Sequence, residues 1–579
     1  MLTIETWLEA MRPDVAIGEC PGWPPDLFAL AGALVQKSGA YLRLFERRGP
    51  NGYLKGIDAE GKAWRDRLDG MARPVTSAAL KRVRSGAVKR GWKKVIHAAD
   101  TTLDAIRDSS SLAEELIRLT LIADAACRGL GVTWNNPTQR GRSQPSEFLF
   151  MAAGLLSRNN NRSFCREVPP EALCVLGKQH TPAKGATFRS LTHHLALSYP
   201  GEIEARWLLA SPKTTEPVTA PREGLNLLLL PWPERVETAD FKKAAAPAKR
   251  ADGSHPPGYF RYDPEPKEGD APIMFGQRFQ EALELARQHA GPIDAVVLPE
   301  LALTEPQYKE AERIAFDKGL ILICGMRTAR KAEGEWDSNV CVLQAAGAVR
   351  ESDSDSEKDA KLLQDLGRYQ AKHHRWHLDR TQIVTYQLGG ALAVDRGAWE
   401  NIELQAPRVL HFVTVNAITW SALICEDLAR QDPAAELVRA VGPNLLIALL
   451  MDGPQLPNRW PARYAAVLAE DPGTSILTVT SLGMVNRSRP IKDGVRVPVS
   501  RVIALWRDAL GAEVQIALDS DHNACVLSLE CRKEKEYCAD GRSDQGQARY
   551  PVYAGYCSFK VPEAVSRTST EAAETVPQS

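Results

Sequence analysis

The chain lacks a charge bias of either sign: 72 Lys and Arg face 72 Asp and Glu across 579 residues. With no global field, nothing in the net charge recruits nucleic acid or an anionic membrane. No apolar run reaches the roughly 18 residues that a transmembrane helix needs, so no membrane partner is expected. The opening MLTIETWLEAMRPD has neither a basic start nor a long apolar core. It does not read as a signal peptide, and a cytoplasmic setting is expected. Cysteines spaced CxxC are missing, which argues against a zinc ribbon. The 11 cysteines are odd in number and scattered, which fits reduced thiols better than a disulfide framework. An SGGxDS-type nucleotide loop, a Tyr-x-Asp-Asp polymerase signature and internal repeats are also missing.

What is present is an ordinary globular composition, 44% hydrophobic and 25% charged, with length enough for two to four domains. Residues 1–135 read as a helical N-terminal domain. LFALAGALVQKSGAYLRLF and SLAEELIRLTLIADAACRGLG space their apolar residues three and four apart. Between them, Lys62 to Lys94 carries about eleven Lys and Arg against two Asp. Such a stretch is either a solvated helix face or a dock for nucleic acid or an acidic partner. Residues 136–223 are mixed and polar, an intermediate region with short helices. Adjacent His193 and His194 on a helix would point in different directions, so a structural or surface role is expected of them.

A different texture begins at Gly224 and defines a region over 224–562. GLNLLLLPWP, GPIDAVVLPE and LILICGMRT are short apolar runs closed by Pro, Glu or Gly, with FGQRFQEALELARQHA and EPQYKEAERIAFDKG as helices between them. The alternation predicts an α/β domain whose helices cover a sheet. SNVCVLQAAG, VLHFVTVNAITWSALICED, NLLIALLMDG, SILTVTSLG, HNACVLSLE and YPVYAGYCSF supply further strands. The 240–275 segment reads as a Pro/Lys-rich loop, 351–361 as a charged surface loop and 563–579 as a disordered tail.

Active sites of α/β folds lie beyond the carboxyl ends of strands, and three chemically capable residues fall at such places. Glu300 closes AVVLPE, Cys425 closes NAITWSALIC, and Lys372 sits between them in GRYQAKHHRWHLDRTQI. Cys425 is followed at once by Glu426 and Asp427, which makes a thiolate harder to form. It is either an inert buried thiol or a nucleophile activated from elsewhere. Asp452 closes LLMDG in the same manner, and Cys324 reads as core. His373, His374 and His377 lack a spacing that would argue for metal.

The order of Glu in LPELALT, Lys in AKHHRWHL and Cys in LICEDLA resembles the carbon–nitrogen hydrolase (nitrilase/amidase) superfamily, over roughly 224–560. The resemblance implies a four-layer αββα sandwich, commonly dimeric, with a Glu–Lys–Cys triad and neither cofactor nor metal. It implies Glu300 as general base, Lys372 as the cation that holds the thiolate and oxyanion, and Cys425 as nucleophile. The N–H of Glu426 would be the second oxyanion donor, and Asp452 would line the substrate pocket. Family members commonly show Lys-x-His-Leu, and Arg375 stands where that pattern expects lysine, so it is the alternative to Lys372. The second family glutamate has two candidates here, Asp379 and Glu403. The implied reaction is hydrolysis of an amide-type carbon–nitrogen bond in a small molecule through a thioester.

KHHRWHLDRTQI, LICEDLAR, LLMDGPQLPNRWPARYA and EDPGTSILTVTSLGM further resemble the nitrilase domain attached to some bacterial reverse transcriptases of antiphage defence, and KQHTPAKGATFRSLTHHLAL resembles the segment before it. The competing expectation is a binding module whose basic region 62–94 docks nucleic acid or a defence partner, with the α/β domain as scaffold.

Overall fold

The computed structural model describes residues 2–46, 54–71, 76–130, 147–159, 162–181, 185–208, 223–244, 257–266, 268–328, 335–344, 369–415, 417–492, 494–543 and 547–563. The charged segment 351–361 and nearly all of the tail 563–579 lie outside these residues.

The apolar runs form two seven-stranded sheets. The first runs in the order Tyr369–Ala371, Ser338–Gln344, Ile321–Thr328, Ala295–Thr304, Gly224–Leu229, Ala524–Lys535, Gln547–Phe559. Its strands are apolar at successive positions because both faces are covered. Leu227, Val297, Ile323 and Leu343 face the core between the sheets. Their neighbours Leu228, Val296, Leu322 and Val342 face a separate core under the helices Pro272–Ala290 and Glu305–Asp317. Alternation along each strand thus feeds two layers at once.

The second sheet runs in the order Glu513–Ala517, Val502–Arg507, Ser475–Thr480, Leu445–Leu450, Ile418–Ile424, Arg408–Val415, Ile203–Leu208. It packs face to face on the first, and the helix Trp460–Glu470 covers its outer side. The result is the αββα layering that the resemblance implies. One edge strand was not anticipated. Ile203–Leu208, in the segment read as intermediate, pairs in parallel with Arg408–Val415 over six residues. The segment 240–275 also differs from expectation. It contributes Phe241–Lys243 and Gly258–Tyr262 to a four-stranded sheet completed by Ala398–Glu400 and His377–Leu378, whose packing cluster includes Leu301, Trp376 and Met451.

The N-terminal residues are helical as their spacing predicts: Pro24–Lys37 and Ser110–Ala126 are buried along most of their length and pack on each other. Two buried carboxylates tie these helices to segments further along the chain. Asp26 Oδ1 accepts the N–H groups of Arg166, Glu167 and Val168 at 2.9–3.3 Å. Asp124 accepts those of His193, His194 and Leu195 at 2.7–3.0 Å. His193 and His194 accordingly lie in a bend leading into the strand Leu195–Ser198, not on a helix, and both are buried. Of the structural or surface role expected of them, the surface alternative and the helical placement are corrected: three N–H donors needed one acceptor, and Asp124 draws the segment inward.

Replacing Asp124 with Ala strands those three buried donors. It is expected to lower stability by about 2–4 kcal/mol, read as a fall in the urea midpoint followed by tryptophan fluorescence. An unchanged midpoint would contradict the role given to Asp124.

Candidate active site

Glu300, Lys372 and Cys425 come from three different elements and are each almost wholly buried, at 1%, 1% and 3% exposure. Glu300 sits inside the strand Ala295–Thr304, where pairing with the neighbouring strand Ile321–Thr328 breaks between Leu298 and Leu303. This irregularity turns the glutamate out of the ladder, and Leu301 behind it adopts φ 55°, as bulges at functional sites often require. The neighbouring strand makes room with Gly325. A Cβ there would lie 2.5 Å from the Pro299 carbonyl oxygen and 2.6 Å from the Glu300 Cα, so no larger residue fits without moving the glutamate.

Lys372 follows the short edge strand Tyr369–Ala371, and its N–H is held by the Asn339 carbonyl at 2.9 Å. Its ammonium lies between two carboxylates, 2.8 Å from Glu300 Oε1 and 2.6 Å from Glu400 Oε2. Asn339 Nδ2 donates to both glutamates at 2.8 Å. The N–H of Met451 donates to Glu300 Oε2 at 2.7 Å, and that of Trp376 to Glu400 Oε2 at 3.0 Å. Every charged atom of this cluster is therefore hydrogen-bonded, the condition under which a buried ion pair is tolerated.

The second carboxylate is thus Glu400, and neither candidate from the sequence occupies its place. Asp379 caps the helix Arg380–Thr385, accepting from Gln382 N at 2.8 Å. Glu403 lies three residues past Glu400, where its N–H pairs with the Asp337 carbonyl. Spacing from the lysine could not find Glu400, because it enters from the three-residue strand Ala398–Glu400 of the small four-stranded sheet. Asn339 and Gly325 carried no sequence signal at all. Arg375 is not in the lysine's place either: its guanidinium donates to the Ile402 carbonyl at 2.9 Å and lies over the Trp336 ring.

Cys425 stands where the strand Ile418–Ile424 turns straight into the helix Glu426–Ala429. Its backbone, at φ 44° and ψ −107°, lies in a region that L-residues seldom occupy. Strain of this kind costs on the order of 1–3 kcal/mol and persists where surrounding structure fixes it. Here the Cys425 N–H is held by the Leu449 carbonyl at 2.8 Å. The two acids after the cysteine have separate tasks. Glu426 pairs with Arg430 one turn later. Asp427 accepts from the N–H groups of His373 and His374 and from the His374 ring, all at 3.0 Å. It joins the elbow of Cys425 to the loop that carries Lys372.

Electrostatics give these groups distinct states. Burial pushes the Cys425 thiol well above its ordinary value, Glu300 adds to that, and Lys372 opposes it. Cys425 therefore rests as a thiol. Burial also raises Glu300, against the pull of Lys372. Burial works against the charge on Lys372, but Glu300 and Glu400 outweigh it and hold the ammonium protonated. A buried thiol, a carboxylate with a raised proton affinity and a fixed cation are the parts of a base-activated nucleophile. Asp452 lies close by, but its Oδ1 is engaged by the Tyr386 hydroxyl and by Arg459 at 2.6 Å.

Much of the basic run is engaged in ion pairs and hydrogen bonds within the chain, several of them at the surface. Lys62 pairs with Asp66, Arg65 with Asp69, Lys81 with Glu19 and Lys94 with Glu115, and Arg84 donates to the Cys20 carbonyl. On the helix Gly86–His97, Val88, Trp92 and Val95 face inward, leaving Lys89, Arg90 and Lys93 outermost.

No protein-family model matches the chain, and no curated protein sequence does. Among solved structures, it is similar to an amidase from Nesterenkonia sp., 10% identical, with 55% of this chain covering 94% of that one at a TM-score of 0.29. It is similar to a CN-hydrolase superfamily protein from Xanthomonas campestris at 13% identity, the match covering 53% of this chain and 90% of that one, with a TM-score of 0.28. A third is a glutamine-dependent NAD+ synthetase from Acinetobacter baumannii, 10% identical, where 59% of this chain spans 49% of the synthetase at a TM-score of 0.30. Superpositions of this quality carry no weight for function, which rests on the side-chain geometry.

Substituting Lys372 with Met removes the cation and leaves two buried carboxylates facing each other, an expected loss of about 3–5 kcal/mol. Arg375→Ala, which gives up a carbonyl bond and a ring contact, should cost about 1 kcal/mol. Thermal denaturation of both variants checks this ordering, and a reversed ordering would contradict the assignment of Lys372.

Proposed function

We propose that this chain hydrolyses an amide-type carbon–nitrogen bond of a small molecule through a Cys425 thioester. The observation that carries the reading is the buried Glu300–Lys372–Glu400 cluster, whose charges act on the Cys425 thiol, together with the strained strand-to-helix elbow that holds that cysteine.

In this reading Glu300 takes the Sγ proton as sulfur attacks the carbonyl carbon. Lys372 stabilises the oxyanion, with the Glu426 N–H as the second donor. Glu300 returns the proton to nitrogen, the C–N bond breaks, and the amine leaves with a thioester on Cys425. Water then enters, Glu300 removes its proton, and the carboxylic acid departs as the thiol is restored. Glu400 and Asn339 do not touch the reacting atoms; they position Lys372 and Glu300. Asp452, with Arg459 and Tyr386, borders the substrate region. The setting in bacterial antiphage defence is supported only by the residue resemblance around KHHRWHLDRTQI and LICEDLAR.

The test is a panel of primary and secondary amides assayed for amine release, with intact-mass spectrometry for the acyl-enzyme. An adduct that maps to Cys425, and its loss together with turnover in Cys425→Ala, is the expected result. A Cys425→Ala protein that keeps full hydrolysis would sink the reading. Glu300→Gln is expected to lower kcat/KM by roughly 10²–10⁴-fold.

The pH profile gives a further check. The base must be ionised to act, and burial raises the Glu300 carboxyl above its ordinary value. Activity should therefore rise with pH through a midpoint above the usual glutamate range of about 4.3. An acid limb at or below that range in kcat/KM would contradict Glu300 as the base.

A further inference from the structure

Far from Cys425 along the chain lies a second cluster of reactive side chains. His180 follows the strand Cys174–Gly177, His193 leads into its partner strand Leu195–Ser198, and Glu536 comes just after the long strand Ala524–Lys535. All three are buried, at 8%, 1% and 4% exposure. One donor atom from each lies within 4.8 Å of the others. Glu536 Oε2 touches His180 Nδ1 and stands 3.6 Å from His193 Nδ1.

From this geometry we infer that His180, His193 and Glu536 bind a zinc ion. Two imidazoles and one carboxylate form a borderline-soft set suited to zinc. The 3.6 Å between Glu536 Oε2 and His193 Nδ1 is the spacing of two ligands about 2.0–2.2 Å from one tetrahedral metal, while the contact between Glu536 Oε2 and His180 Nδ1 has to open to admit the ion. His193 has its other nitrogen occupied in the manner of a metal ligand: Nε2 lies 3.2 Å from the Cys538 sulfur. With the proton on Nε2 toward that sulfur, Nδ1 would face Glu536 unprotonated, the tautomer that coordination needs.

The loops are also held in place independently of any ion. Asp124 accepts from the N–H of His193. Ala539 N donates to the Ser190 carbonyl at 2.8 Å, and Arg542 to the Leu191 carbonyl at 2.8 Å. The loops that carry the three side chains are therefore held across a junction that joins residues more than 340 positions apart. Three protein ligands leave the fourth tetrahedral position to water, and a metal here would tie the segment around 174–198 to the far end of the α/β region.

The metal-free reading of the same cluster is a buried ion-pair group, with Glu536 balanced by Lys178, whose ammonium is 3.9 Å from Glu536 Oε1. That ammonium already donates to the carbonyls of Arg189, at 2.8 Å, and Thr192.

The experiment is elemental analysis of the purified full chain, followed by chelator treatment and titration with zinc sulfate. About one zinc per chain is expected, with a melting temperature that falls by roughly 5 °C or more on chelation and returns with zinc. Replacing zinc with cobalt(II) in the wild-type chain should give the intense visible bands of tetrahedral coordination, a readout that needs no variant to fold. Glu536→Gln and His180→Ala chains that remain folded by circular dichroism should lose the metal. The proposal is overturned if the folded chain holds less than about 0.1 zinc and zinc leaves its melting temperature unchanged. It is equally overturned if folded Glu536→Gln keeps a full equivalent. Because none of these readouts involves turnover, the result is independent of the chemistry assigned to Cys425.

Discussion

A single ammonium held between two carboxylates organises this molecule. Among the described residues, Lys372 is the one cation in contact with both Glu300 and Glu400. Each glutamate comes from a different layer: one from a central strand of the first sheet, the other from the small sheet beside it. In a dry interior such a trio is tolerated where each charged atom finds hydrogen-bond partners. Asn339, Met451 N and Trp376 N are those partners. The bulge at Glu300 and the glycine opposite it arise from the same demand, since the glutamate has to leave its ladder to reach the lysine.

The cysteine is set by a different device. Its elbow geometry comes from the abrupt change from strand to helix, and the Asp427 carboxylate ties that elbow to the lysine loop through three donors. Of the acids next to Cys425 in the sequence, Glu426 adds only a minor push to its ionisation. Burial raises its proton affinity, and the charges next in weight are Glu300 and Lys372, 125 and 53 positions earlier (425 − 300 and 425 − 372).

How much of this was readable in the sequence depended on the kind of signal. Glu300, Lys372 and Cys425 each sit at or beside an apolar run, and apolar runs report strands well. Their order along the chain pointed to all three, and in the structure Lys372 contacts Glu300 while the charges of both act on Cys425. Glu400 ends a three-residue strand in a polar stretch, so no periodicity marked it. Arg375 matched a local pattern better than Lys372 did, but the pattern says nothing about which side chain faces Glu300. The 240–275 segment read as loop because its strands are only three and five residues long and are separated by prolines and lysines. His193 and His194 were misplaced for another reason: the carboxylate that draws them inward, Asp124, is 69 residues away, and local spacing cannot report a partner so distant.

The strand Ile203–Leu208 has a consequence for how the protein can be divided. It supplies the outermost rung of the sheet that carries Cys425, pairing along six residues of Arg408–Val415. A chain cut at Gly224, where the apolar texture begins, would strip that rung and bare the backbone donors and acceptors of the next. An exposed edge of this kind invites pairing between molecules. The natural unit of this enzyme-like half thus starts some twenty residues before its sequence signature does (224 − 203), and the segment just upstream is part of its wall.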